Sequence, residues 1–77
     1  MTDQRREALR AAWSHMDDAL DIMNDVLDRE DADLEEMDDK TREGFAGLQA
    51  EKDIDTLRDA INDLECAISE ILEVTTV

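Results

Sequence analysis

Two stretches of this sequence set their apolar residues in alternating steps of four and three. The first runs Leu9, Trp13, Met16, Leu20, Met23, Leu27, and the second Ile54, Leu57, Ile61, Leu64, Ile68, Ile71. Such spacing gathers every apolar side chain on one stripe of an α-helix and does not fit the two-residue alternation of a half-buried strand. These residues form the a and d rows of a heptad, the seam along which helices pack. Ala12, Ala19 and Val26 each stand one residue before the a row of the first stretch. Ala60, Ala67 and Val74 repeat that position in the second. They widen each seam into the broader stripe of a bundle helix. The expected fold is therefore all-α.

The first helix is expected over about residues 3–42, with Thr2 or Asp3 as its cap. Leu34 and Met37 keep the heptad spacing beyond Leu27, although Glu30 takes the core position between them. The alternative is a break between Arg29 and Asp33, which gives a three-helix bundle. Turn chemistry is confined to Gly44 and Gly47, so residues 43–50 are expected to turn, with Phe45 and Leu48 closing one end of the core. The second helix is expected over about 53–74, with Asp53 as a possible cap. The whole chain reads as one helical domain.

Two long helices joined by a short turn imply an antiparallel hairpin. Charge agrees with this. Arg5, Arg6 and Arg10 sit at a helix N-terminus, where the macrodipole disfavours cations. An antiparallel partner sets them beside Glu70 and Glu73, and sets Lys52 and Arg58 near the acidic end of helix one. Each stripe is wider than one neighbour covers, and Ile22 and Leu72 lie outside the strict seam. Two hairpins are therefore expected to join as a homodimeric four-helix bundle, or one hairpin to dock on another protein. Trp13, Met16, Met23 and Met37 suit either use.

Size supports association. A chain of 77 residues has little surface to bury, and a core on that scale rarely supplies more than about 3–5 kcal/mol. One Cys and one His make neither a disulfide nor a structural zinc site. The sequence shows neither a membrane-length apolar run nor a secretory leader, so a reduced, cytoplasmic setting is expected.

Catalytic constellations are missing from the pattern. His15 and Cys66 fall on outer helix positions. No Ser, Cys or acid stands at a spacing that makes a triad with His15. Cys66 has Asp63, Glu65 and Glu70 around it rather than the cations that activate a thiol. No glycine-rich phosphate loop occurs. Asp31, Asp33 and Glu35 alternate as in a calcium loop, but Glu36 stands where that loop requires Gly, and Arg42 where it requires its last Glu. No Glu-x-x-His pair is present for a di-iron bundle. No enzyme activity, metal or cofactor is expected.

Charge is the more informative feature. Lys and Arg number 8 against 23 Asp and Glu, a net charge of −15. Solubility of a small domain needs only about 2–8. The excess repels nucleic acid and anionic lipid, so neither is an expected partner, and a basic protein surface is the natural complement. On a continuous first helix, Asp18, Asp21, Asp25, Asp28, Glu35, Glu36 and Asp39 map to the outward face, with Asp17, Asp31, Asp33 and Asp38 flanking it. Carboxylates three and four residues apart on a helix are about 5–6 Å from one another. DNA phosphates rise about 3.4 Å per step along a strand, with a somewhat larger through-space separation. A helix lined this way offers a phosphate-like row of charge.

Gly47-Leu48-Gln49, followed by Leu57, Ala60-Ile61, Leu64 and Ala67-Ile68, resembles small acidic two-helix proteins of phages and mobile elements. Those pair a long acidic helix with a second helix after a short loop. The likeness covers the second half of the chain and departs at the turn, where Phe45 stands and no Pro occurs. In size and charge the chain also resembles anti-CRISPR and anti-restriction proteins, some of which imitate DNA. That resemblance implies an inhibitor whose acidic face occupies a basic nucleic-acid-binding surface of a host defence or regulatory protein. The competing expectations are a self-associating coiled-coil adaptor, in which the seam rather than the acidic face matters, and a small acidic antitoxin or chaperone-like binder.

Overall fold

The computed structural model describes residues 1–76. Among them the chain forms three helices and no strand: α1 (Asp3–Glu36), α2 (Asp39–Glu43) and α3 (Phe45–Thr75). The body is extended, 58 × 15 × 14 Å. A helix of the length of α1 is itself about 51 Å long, so α1 and α3 lie alongside one another. Two crossings mark how they meet. The Arg10 guanidinium donates to the Thr75 carbonyl at 3.2 Å, and Arg58 pairs with Asp31 at 3.2 Å.

The hydroxyl of Thr2 caps α1, accepting from the Arg5 N–H at 3.2 Å. Asp3 lies inside the helix and pairs with Arg6. The far end differs from the expected 3–42 helix. α1 passes intact through Arg29 and Asp33, then stops at Glu36, with Met37 extended at φ −65°, ψ 140°. Two local forces account for the stop. Asp38 caps a new helix by accepting from the Thr41 N–H at 2.7 Å, a use of Asp that competes with continued helix. The last turn of α1 also has no cation of its own, and Glu35 and Glu36 oppose the helix dipole there. Arg42 supplies the missing charge. Its guanidinium folds back to donate to the carbonyls of Leu34 (3.3 Å), Glu35 (2.8 Å) and Met37 (3.1 Å).

The expected turn at 43–50 contracts to Gly44, extended at φ −84°, ψ −170°, which precedes α3 directly. Asp53 is therefore interior to α3 and caps nothing. Phe45 and Leu48 do not close the core. They are 83% and 60% exposed, because neither belongs to the heptad row that faces α1. Gly47 does belong to it and is buried. A Cβ at Gly47 would overlap the backbone of Arg42, so a side chain there would push α2 off α3.

Every seventh residue of α3 is buried: Gly47, Ile54, Ile61, Ile68 and Thr75. Ile54, Ile61 and Ile68 are the buried apolar residues, and α1 contributes none. Leu57, Leu64 and Ile71 are half-buried, as are Leu9, Trp13, Met16, Leu20, Met23 and Leu27 on α1. The α1–α3 seam is thus well covered on one row and open on the rows beside it.

Candidate functional site: the acidic face

The outward side of α1 has a period set by the seam. With Trp13, Leu20 and Leu27 turned inward, residues one, two or five positions further along turn outward. Asp18, Asp21, Asp25, Asp28, Glu35 and Glu36 are all exposed there, and Asp39 is exposed on α2. Asp25 is paired with Arg29 at 3.1 Å. Among the described residues no cation pairs with Asp18, Asp21, Asp28, Glu35 or Glu36. Their carboxylates stand free along most of one helix.

Asp17 and Asp31 belong to a different surface. Both are half-buried at the flank of the seam, and Asp31 is held by Arg58 across the two helices. Asp39 is separated from the α1 row by the break at Met37 and Asp38. The face is therefore shorter than a continuous helix to residue 42 would make it. α3 carries a second set of exposed acids, Asp55, Asp59, Asp63, Glu70 and Glu73; among the described residues only Asp55 of these has a cation nearby, Arg58 at 3.8 Å. The heptad spacing of α3 already places these acids at outer positions.

At the N-terminal end of α1, the arginines pair within their own helix. Arg6 meets Asp3 at 3.4 Å and Arg10 meets Glu7 at 3.1 Å. Arg10 reaches α3 through the Thr75 carbonyl rather than through Glu70 or Glu73, which places its charge at the negative end of the α3 dipole. Lys52 is exposed, with no carboxylate partner among the described residues.

The Asp38 carboxyl is held below its ordinary value by hydrogen bonds from the Thr41 side chain and then from the Thr41 backbone N–H. This group serves the α2 cap. Next to Arg10, an open cleft of about 380 Å³ is lined by Trp13, Ser14, Leu72, Thr75 and Thr76. Among the described residues, no Asp, Glu, His or Cys lines the cleft to pair with Ser14. The Trp13 indole N–H is buried and has no hydrogen-bond partner among the described residues. His15 is exposed, and so is Cys66.

Among the described residues no three His, Cys, Asp or Glu side chains converge to hold a metal ion, and no helix is long and apolar enough to cross a membrane. Comparison with protein-family models, curated proteins and solved structures finds no match to this chain.

Proposed function

We propose that this chain is a non-enzymatic, cytoplasmic protein-binding inhibitor. Its α1 face occupies a basic, nucleic-acid-binding surface of a defence or regulatory protein, as anti-CRISPR-like DNA mimics do. The observation that carries this reading is the row Asp18, Asp21, Asp28, Glu35 and Glu36, exposed and without cations. Like charges at i,i+3 and i,i+4 each destabilise a helix by about 0.2–0.5 kcal/mol, and a basic partner removes that repulsion on binding. In this reading the two long helices form an antiparallel hairpin, and two hairpins pair into a four-helix bundle with acidic faces outward. Binding is tested against salt and DNA. A mimic loses its partner steeply as salt rises and competes with duplex DNA for it. Binding that survives high salt and ignores DNA contradicts the proposal.

A second reading is favoured by the half-open seam. If the chain is a coiled-coil adaptor, its activity follows the apolar rows, and Asp→Asn changes on the α1 face leave it intact.

A further inference from the structure

The end of the body where α1 begins and α3 finishes is short of hydrogen-bond acceptors. Arg10 meets the Thr75 carbonyl there, and the cleft of about 380 Å³ opens beside them. Trp13 forms one wall of it, and its indole N–H is buried with no partner among the described residues. One heptad earlier the Arg6 Nε–H is in the same state. Buried donors are nearly always satisfied, so each exception asks for an acceptor.

Arg10 adds to the surplus of donors. A guanidinium carries five N–H bonds. Among the described residues one goes to Glu7 at 3.1 Å and one to the Thr75 carbonyl at 3.2 Å, which leaves three. Arg10 is the charged residue of the lining, and Glu70 and Glu73 of α3 stay outside it. The hydroxyls of Thr75 and Thr76 already donate to the Leu72 carbonyl, at 3.2 and 2.7 Å. The charge of the chain also changes sign at this end. Residues 1–10 hold Arg5, Arg6 and Arg10 against Asp3 and Glu7, whereas no later block of ten has more cations than acids. Leu72, outside the strict seam and 42% exposed, gives the cleft an apolar side opposite the Trp13 ring.

We infer that this cleft binds a small amphiphilic monocarboxylate, with its aliphatic chain between Trp13 and Leu72 and its carboxylate on Arg10. The volume lies within the range of about 300–1,000 Å³ for small-molecule sites, which are mostly apolar with a few placed polar groups. A carboxylate is purely an acceptor and matches the planar guanidinium fork. One negative charge suits the site better than two, because a chain of net charge −15 repels a phosphate dianion more strongly. A turn of the Trp13 ring toward the bound carboxylate gives the indole N–H the acceptor it lacks. The site makes no use of the acidic row on α1 and stands apart from the inhibitor reading.

Octanoate is the probe that tests this. Trp13 is the single tryptophan of the chain, so its fluorescence and its indole N–H resonance report on the cleft. Octanoate is expected to change both saturably, with a dissociation constant of about 0.1–1 mM, a range set by its roughly ten non-hydrogen atoms. Octanol keeps the chain and loses the charge, and acetate does the reverse. Each is expected to bind at least about 10-fold more weakly. Arg10→Met weakens octanoate by about 10-fold and leaves octanol unchanged, while Leu72→Glu weakens both. Circular dichroism checks the fold of each variant, and the comparison of octanoate with octanol on the wild type decides the matter if a variant unfolds. No saturable change at Trp13, octanol binding as tightly as octanoate, or a folded Arg10→Met that still prefers octanoate overturns the inference.

Discussion

Arg42 hydrogen-bonds the Glu35 carbonyl at 2.8 Å while its own peptide N–H closes the first turn of α2 on Asp38. One residue thus finishes α1 and belongs to α2. Free carbonyls at a helix end need donors, and cations near that end also complement the dipole. Arg42→Ala is expected to cost about 1.5–3 kcal/mol, the range for hydrogen bonds to charged groups, and to fray α1 back from Glu36. Arg42→Lys keeps the charge but loses the fork that reaches three carbonyls, and recovers only part of the loss. Urea unfolding with amide exchange over residues 34–38 reads both effects.

Gly47→Ala separates backbone crowding from helix propensity. In an exposed helix the change stabilises by about 1 kcal/mol. At Gly47 the new methyl overlaps the Arg42 backbone, and a net loss of about 1–3 kcal/mol is expected. A rise in melting temperature would show that α2 does not rest on α3 at this point.

Asp38 makes the α2 cap pH-dependent. Its folded carboxyl lies below the ordinary value of 3.8 because Thr41 donates to it. The cap's contribution is therefore complete above that value and is lost as pH falls through the lower, folded one. The Thr41 amide proton resonance should titrate with a midpoint below 3.8 and show no such step in Asp38→Asn. A midpoint at or above the ordinary value contradicts the cap.

Asp18→Asn/Asp21→Asn/Asp28→Asn tests the acidic face without touching the seam. Each removed like-charge pair relieves about 0.2–0.5 kcal/mol, so the triple variant should melt slightly higher than the wild type. It should also lose its partner. An adaptor that binds through apolar rows would gain the stability and keep the partner.

The helical class was legible because Leu20, Leu27, Ile54, Ile61 and Ile68 repeat a period that only a helix turns into one stripe. The break after Glu36 was not, because the heptad continues through Leu34 and Met37 and no Gly or Pro interrupts it. The cap that decides it, Asp38 with Thr41, is local polar chemistry hidden in an acidic run. In the sequence Gly47 signals a turn, while its buried place in the Ile54 row shows a close approach of backbones. Phe45, expected beside the turn to close one end of the core, is exposed because its helical phase turns it away from the Ile54 row. On the candidate site, exposure of Asp18, Asp21 and Asp28 followed from helical phase. The Asp31–Arg58 pair required knowing which flank of α1 meets α3.

The most direct measurement captures partners from a lysate of the source organism on two columns, one bearing the wild-type chain and one Asp18→Asn/Asp21→Asn/Asp28→Asn. Each column is eluted first with duplex DNA and then with salt, and the eluted proteins are identified by mass spectrometry. The account predicts a nucleic-acid-handling protein on the wild-type column, released by DNA, and absent from the variant column. The same proteins on both columns, indifferent to DNA and salt, would contradict it.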